Sequence, residues 1–156
     1  MNATIGLKES ARAKVLAVLD PVLADEYALY TKTRNFHWNV VGPNFHDMHK
    51  FFEAQYEILD GHVDAVAERS RALGGRALGS LKEFLGAARL KESLGRTMKA
   101  SVMLAELLRD HEELIRTLRA DVDETTRLGD AGTADFLTGL MEEHEKMAWM
   151  LRSHLS

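Results

Sequence analysis

RALGSLKEFLGAARLK, residues Arg76 to Lys91, follows the pair Gly74-Gly75 and precedes a long run of apolar residues at helical spacing. Two glycines and the lack of sustained periodicity mark it as a connection, in which LKEFL has room for one or two helical turns. The rest of the chain reads as four long helices. It has only two prolines, apolar residues recur three and four apart, and almost no alternating β-branched pattern suggests strands. The first helix runs from about Lys8 to His37, with Val15, Leu19, Val22, Leu23 and Tyr30 facing inward, and Pro21 should kink it by removing one hydrogen bond. Gly42-Pro43 breaks the chain, and the second helix runs from about Asn44 to Leu73, stopped by Gly74-Gly75. The third, about Ser93 to Leu128, carries Met98, Val102, Ala105, Leu108, Ile115, Leu118 and Val122 at core spacing and ends at Gly129-Asp130-Ala131-Gly132. The fourth begins near Thr133 as N-cap and carries Leu137, Leu140, Met141, His144, Ala148, Leu151 and Leu155.

Loop lengths set the connectivity. Short links join the first helix to the second and the third to the fourth, while Arg76–Lys91 joins the second to the third. The expected fold is all-α: a ferritin-like four-helix bundle with a long crossover carrying a short helix between helices 2 and 3. At 156 residues the chain fits one domain, residues 1–156, able to bury a core unaided. Having no cysteine, it offers neither disulfides nor thiolate ligands, so any metal must be held by His, Asp and Glu, which fits a reducing cytoplasm. No secretory leader and no apolar run long enough to span a membrane is evident. A net charge of -4 has the wrong sign for nucleic-acid binding by bulk electrostatics, leaving only a local basic patch as a route.

The chemistry concentrates around the second helix. NFHWNVVGPNFHDMHK, Asn35 to Lys50, holds His37, His46 and His49. On a helical wheel Phe45, Phe52, Tyr56, Leu59, Val63, Val66 and Ser70 share a core face, whereas Glu53, Glu57, Asp60, Asp64 and Glu68 fall within about 40° of His46. A charge stripe is ordinarily a solvated face. Here, however, Glu53/Glu57 and Asp64/Glu68 are like-charged i,i+4 pairs, which repel unless a cation offsets them. Along one helix His49 and Asp64, fifteen positions apart, are separated by roughly 22 Å and cannot share an ion. If His37 and His49 act with Asp64 and Glu68, a two-fold antiparallel pairing of second helices must complete the site, twice per dimer. A ferritin-type centre inside the bundle needs Glu-x-x-His on two helices, and no histidine here is preceded by Glu at that spacing.

NFHWNVVGPNFHDMH, DAVAERSRALGG and DAGTADFLTGLMEEHEKMAWML together resemble the Dps family, the mini-ferritins named for DNA protection in starved cells. The resemblance covers about Lys8 to Leu155, and the spacing His-x11-His-x14-Asp-x3-Glu matches that family's ferroxidase centre. It implies a closed dodecameric homo-oligomer with iron-oxidising centres at two-fold interfaces, where His37 and His49 of one subunit face Asp64 and Glu68 of its neighbour and Glu53 assists the second iron. It also implies that Fe²⁺ is the substrate, oxidised preferentially by hydrogen peroxide and stored as ferric mineral, with Zn²⁺ a competitor at the same ligands.

Other residues carry two readings each. Trp38 matches a family tryptophan that intercepts radicals, and is equally an aromatic anchor at a helix end. Glu57 and Asp60 could nucleate mineral if they face the cavity. Asp130 and Asp135 match acidic positions lining pores that admit iron, and are equally stabilised by the helix dipole. His144 reads as a buried, hydrogen-bonded histidine, and His46, His62, His111 and His154 as surface or interface residues, some of which could form an extra zinc site. The segment MNATIGLKES holds one lysine and SHLS follows the last helix directly, so no basic tail is expected and DNA binding should be weak or absent. The expected location is the cytoplasm, with association to the nucleoid left open. Two rival readings stand beside this one: a DNA-compacting stress shell with little oxidation chemistry, and a monomeric bundle that binds a protein partner through a merely solvated acidic stripe.

Overall fold

The computed structural model describes residues 3–95 and 98–156. Arg96 and Thr97, which fall inside the third helix expected from sequence, lie outside the described residues. Five helices follow in order: α1 Glu9–Asn39, α2 Phe45–Ala72, α3 Leu81–Ala87, α4 Ala100–Arg127 and α5 Ala131–Ser153. Among the described residues there is no strand. α1 pairs with α2 and α4 with α5, and α3 lies on α1. The long helices enclose a core of Leu19, Leu23, Leu29, Phe36, Phe52, Leu59, Leu107, Leu114, Leu118 and Leu137, all essentially inaccessible. α1 runs unbroken through Pro21.

Both glycine stops work as expected, and for one reason. Leu73 caps α2, Gly74 turns left-handed at φ 80°, Gly75 N–H donates to Ser70 O at 3.0 Å and Gly74 N–H to Arg71 O at 2.9 Å. α4 ends in the same way: Gly129 has φ 80°, Asp130 N–H donates to Thr125 O at 3.1 Å and Gly129 N–H to Thr126 O at 3.0 Å. This paired bonding satisfies carbonyls that the helix leaves orphaned.

Two boundaries differ from expectation. α4 begins at Ala100 rather than near Ser93. Ser93 has the chemistry of an N-cap, but its hydroxyl bonds Glu106 Oε2 at 3.1 Å and its carbonyl accepts from Asn35 Nδ2 at 3.4 Å, so it ties the crossover to α4 and α1 instead. The N-cap of α5 is Asp130 rather than Thr133; Asp130 Oδ1 accepts from Thr133 N–H at 3.0 Å. DAGT offers two caps three residues apart, and the stop at Gly129 leaves the earlier one in place to take the role.

The inward face of α4 is also rotated from the expected one. Met103, Leu104, Leu107, Asp110, His111, Leu114 and Leu118 are buried, whereas Val102 is 42 % exposed and Ala105 is exposed. Two of the buried positions are polar, so reading the stripe by hydrophobicity alone shifts it. Asp110 forms a buried ion pair with Lys32 of α1. Phe45, assigned to the α2 core face, is 46 % exposed because it sits at the helix start, stacked on the His49 ring. Leu155, beyond α5, is 38 % exposed.

The crossover is pinned at both ends. Ser80 and Glu83 form a reciprocal capping box at the start of α3. At the other end buried Asp25 of α1 accepts from Arg89 N–H and Nε, each at 2.6 Å, and from Leu90 N–H at 2.9 Å. Between them Phe84 stacks on Tyr27 with centroids 4.3 Å apart.

A Cβ at Gly129 would meet nothing within 4 Å, so Gly129→Ala isolates the left-handed backbone and should lower stability by about 1–2 kcal/mol. Gly139, equally unobstructed but inside α5, should instead gain about 0.5–1 kcal/mol on Gly139→Ala. Urea unfolding of the two variants should show opposite signs; matching signs would refute the assignment of these two backbone states.

Candidate metal centre

The corner between α1 and α2 brings together the two histidines expected to act as ligands. Phe36 and Phe52, both buried, pack with centroids 6.3 Å apart, and Val40 is 2 % exposed with its N–H donating to Phe36 O at 2.9 Å. The link between the helices turns through Gly42 at φ 126°. This fixed corner lays the last turn of α1 against the first turns of α2.

There His37 and His49 stack with ring centroids 3.7 Å apart and planes inclined by 21°. His37 Nδ1 lies 2.8 Å from His49 O, and His49 Nδ1 lies 2.9 Å from His37 O. A carbonyl oxygen only accepts, so each Nδ1 must carry a proton and donate it. In a neutral ring the lone pair is then on Nε2, the form a metal ligand needs. Neither Nε2 makes a hydrogen bond among the described residues. Phe45 stacks beyond His49 at 5.1 Å, and Tyr56 meets the His37 ring edge-on at 5.2 Å.

Glu53 belongs to this end of α2. Its hydrogen bond from Lys50 holds its carboxyl below the usual range against desolvation, with the charge of Lys50, and of the nearby His37 and His49 rings when protonated, acting in the same direction. Asp64 and Glu68 lie farther along α2, exposed, with no hydrogen bond or ion pair among the described residues. One chain therefore brings together His37, His49 and Glu53 and leaves Asp64 and Glu68 apart. Glu57 and Asp60 are exposed on the same helix. Trp38 is 64 % exposed, with the Arg34 guanidinium 5.2 Å from its ring centroid. Asp130 is buried and its carboxylate is engaged, capping α5 and pairing with Arg69 Nη2 at 3.1 Å, while Asp135 is exposed.

His46 is exposed and outside the ring stack, and exposed His154 packs edge-on against Phe51 at 4.5 Å. His111 is not a surface residue, as its polarity suggested: it is fully buried beside His144, the Nδ1 atoms 2.9 Å apart. His62 is largely covered too, its Nδ1 3.5 Å from Glu26 Oε2. The residue that sequence reasoning missed is Glu26, fully buried in α1, with Oε1 2.6 Å from His144 Nε2. Burial works to raise its carboxyl, but the charge and hydrogen bond of His144, with the nearby His62 acting in the same direction, lower it to about 2. Burial, followed by the charge of His144, pushes His111 well below the usual imidazole value, so it is neutral. Glu26 was visible in the pattern, because Leu19, Val22, Leu23, Glu26, Leu29 and Thr33 form a single stripe with a carboxylate at its centre.

A profile of the ferritin-like domain matches residues 16–156. A protein of Bacillus anthracis named DNA protection during starvation protein 2 is 37% identical over 144 residues, covering 92% of this chain and 97% of its own length. The chain belongs to the Dps family. An uncharacterised low temperature-induced protein of Nostoc sp. is more similar still, 51% identical over 152 residues, covering 97% of this chain and 85% of its own. A Dps protein of Vibrio cholerae O1, described as a member of a broad superfamily of ferritin-like diiron-carboxylate proteins, superposes with a TM-score of 0.94 at 30% identity, covering 100% of this chain and 98% of that one. Membership of this family supports a general role in iron storage and protection against oxidative stress. Among the described residues no helix is long and apolar enough to cross a membrane.

The mutual carbonyl bonds predict the Nδ1–H tautomer for both His37 and His49. Solid-state ¹⁵N NMR of the metal-free protein at neutral pH should show Nε2 unprotonated in both rings; the Nε2–H tautomer in either would contradict the geometry.

Proposed function

We propose that this Dps protein is a ferroxidase and iron store that oxidises Fe²⁺ at centres shared between subunits of a dodecameric shell. The observation that carries this reading is the His37–His49 pair, with both Nε2 lone pairs free and no carboxylate pair of its own chain beside it. Asp64 and Glu68, exposed and unpaired on the same unbroken helix, supply that carboxylate pair from a second copy, since roughly 22 Å separates the two halves within one chain. Glu53, beside the histidines, assists a second iron, and the exposed Glu57, Asp60 and Asp135 offer carboxylates for mineral nucleation or passage of ions.

Imidazole and carboxylate together hold Fe²⁺, while carboxylate oxygen favours the harder ferric product. Hydrogen peroxide is the preferred oxidant. Two Fe²⁺ each give up one electron, the O–O bond breaks, and two protons complete two molecules of water, leaving two Fe³⁺ for the mineral. Removing Fe²⁺ and peroxide together protects DNA without touching it. That agrees with the name of the Bacillus anthracis relative and with a net charge of -4, which offers no bulk attraction for phosphates.

His37→Ala and Asp64→Ala should each slow peroxide-dependent Fe²⁺ oxidation by at least about tenfold, as loss of one ligand does at other metal sites, while gel filtration shows the oligomer intact. Stopped-flow absorbance measures the rate. Wild-type rates in both variants would remove the proposed centre.

A further inference from the structure

The middle of the bundle holds a second group of ligand-type side chains, one from each long helix: Glu26 of α1, His62 of α2, His111 of α4 and His144 of α5. Glu26, His62 and His144 each offer one ligand atom, all within 4.8 Å of one another. Glu26 and His144 are fully buried, and the His62 side chain is 13% exposed. The His62 and His144 rings are 5.2 Å apart and inclined by 62°, converging on the carboxylate rather than stacking like His37 and His49.

Hydrogen bonding within the group is incomplete. Glu26 Oε1 accepts a hydrogen bond from His144 Nε2–H at 2.6 Å, but Glu26 Oε2, His62 Nδ1 and His111 Nε2 are buried without a hydrogen-bond partner. His62 Nδ1 lies 3.5 Å from Oε2, too far for a sound hydrogen bond. Buried polar atoms almost always find partners, and here two of the three orphans, Glu26 Oε2 and His62 Nδ1, face each other.

We propose that Glu26, His62 and His144 bind a single divalent transition-metal ion within each subunit, a site separate from the interfacial iron centre. Two imidazoles and one carboxylate are the donor set that Zn²⁺ takes in open four-coordinate sites, with a water in the remaining position. Zn²⁺ is favoured over Fe²⁺ by such ligands at equal availability. The ion displaces the proton of His144 Nε2. The proton shared with His111 then settles on His144 Nδ1, and His111 takes up a proton at Nε2 in place of the one it gave, so both rings exchange tautomers and the proton displaced by the ion is matched by the one taken up. His111 thus acts on the ion through His144, as outer partners of metal-bound histidines commonly do. The partly exposed edge of His62 is the way in. A bound ion ties α1, α2 and α5 together at mid-bundle.

The test uses the assembled full-length protein carrying His37→Ala and Asp64→Ala, so that interfacial binding is removed, with Co²⁺ as the spectroscopic probe. About one Co²⁺ per chain is expected, with the intense visible bands of four-coordinate cobalt. Adding Glu26→Gln, which keeps the shape of the side chain, or His62→Ala, which leaves the Glu26–His144 hydrogen bond in place, should abolish those bands and lower the bound metal at least tenfold. Circular dichroism and gel filtration establish that each variant is folded. Absence of four-coordinate Co²⁺ in the parent, or its persistence in both Glu26→Gln and His62→Ala, overturns the proposal. Neither result depends on iron oxidation, so the interfacial reading stands or falls separately.

Discussion

α2 is a single helix of 28 residues, and its stiffness is the constraint on which the rest depends. At 1.5 Å per residue it holds its histidine end and its carboxylate end apart by several helical turns. The corner at Gly42 can fold α1 back so that His37 reaches His49, but nothing within the chain can fold Asp64 onto them. The proposed centre is therefore one that two chains must complete.

The interior of the bundle is more polar than a core of leucines would require. Lys32–Asp110 joins α1 to α4, Asp25 holds the crossover by three hydrogen bonds, and the Glu26–His144–His111 chain runs from α1 through α5 to α4. Arg69 does the same at the end of α2, donating to Thr133 Oγ1 at 2.9 Å and to Asp130 at the start of α5. Breaking one partner of such a buried pair costs about 3–5 kcal/mol, although the intact pair contributes little net stability. Their stronger effect is on register: each is satisfied in only one arrangement of the helices.

Those same polar contacts mark what could and could not be read from sequence. The glycine stops, the apolar stripe of α1 and the long link through Arg76–Lys91 are local signals, and the five helices follow them. The grouping of His37 with His49 needed only one break at Gly42-Pro43, and their rings are 3.7 Å apart. The start of α4, the cap of α5 and the inward face of α4 depend on tertiary partners. Ser93 bonds Glu106 rather than capping, Asp130 has Arg69 beside it, and Asp110 and His111 are core residues because Lys32 and His144 meet them. Glu26 stood in plain view on an apolar stripe, but the histidines grouped around it come from three other helices.

The central claim is that each iron centre takes its histidines from one chain and its carboxylates from another. Co-expressing His37→Ala and Asp64→Ala subunits so that they assemble together tests it directly, since a mixed two-fold pair contains one centre with both substitutions and one with neither. With random pairing at equal amounts, half the pairs are mixed, and the assembly should recover about a quarter of the wild-type rate of Fe²⁺ oxidation per chain. A rate no higher than the average of the two parent variants would contradict the shared centre.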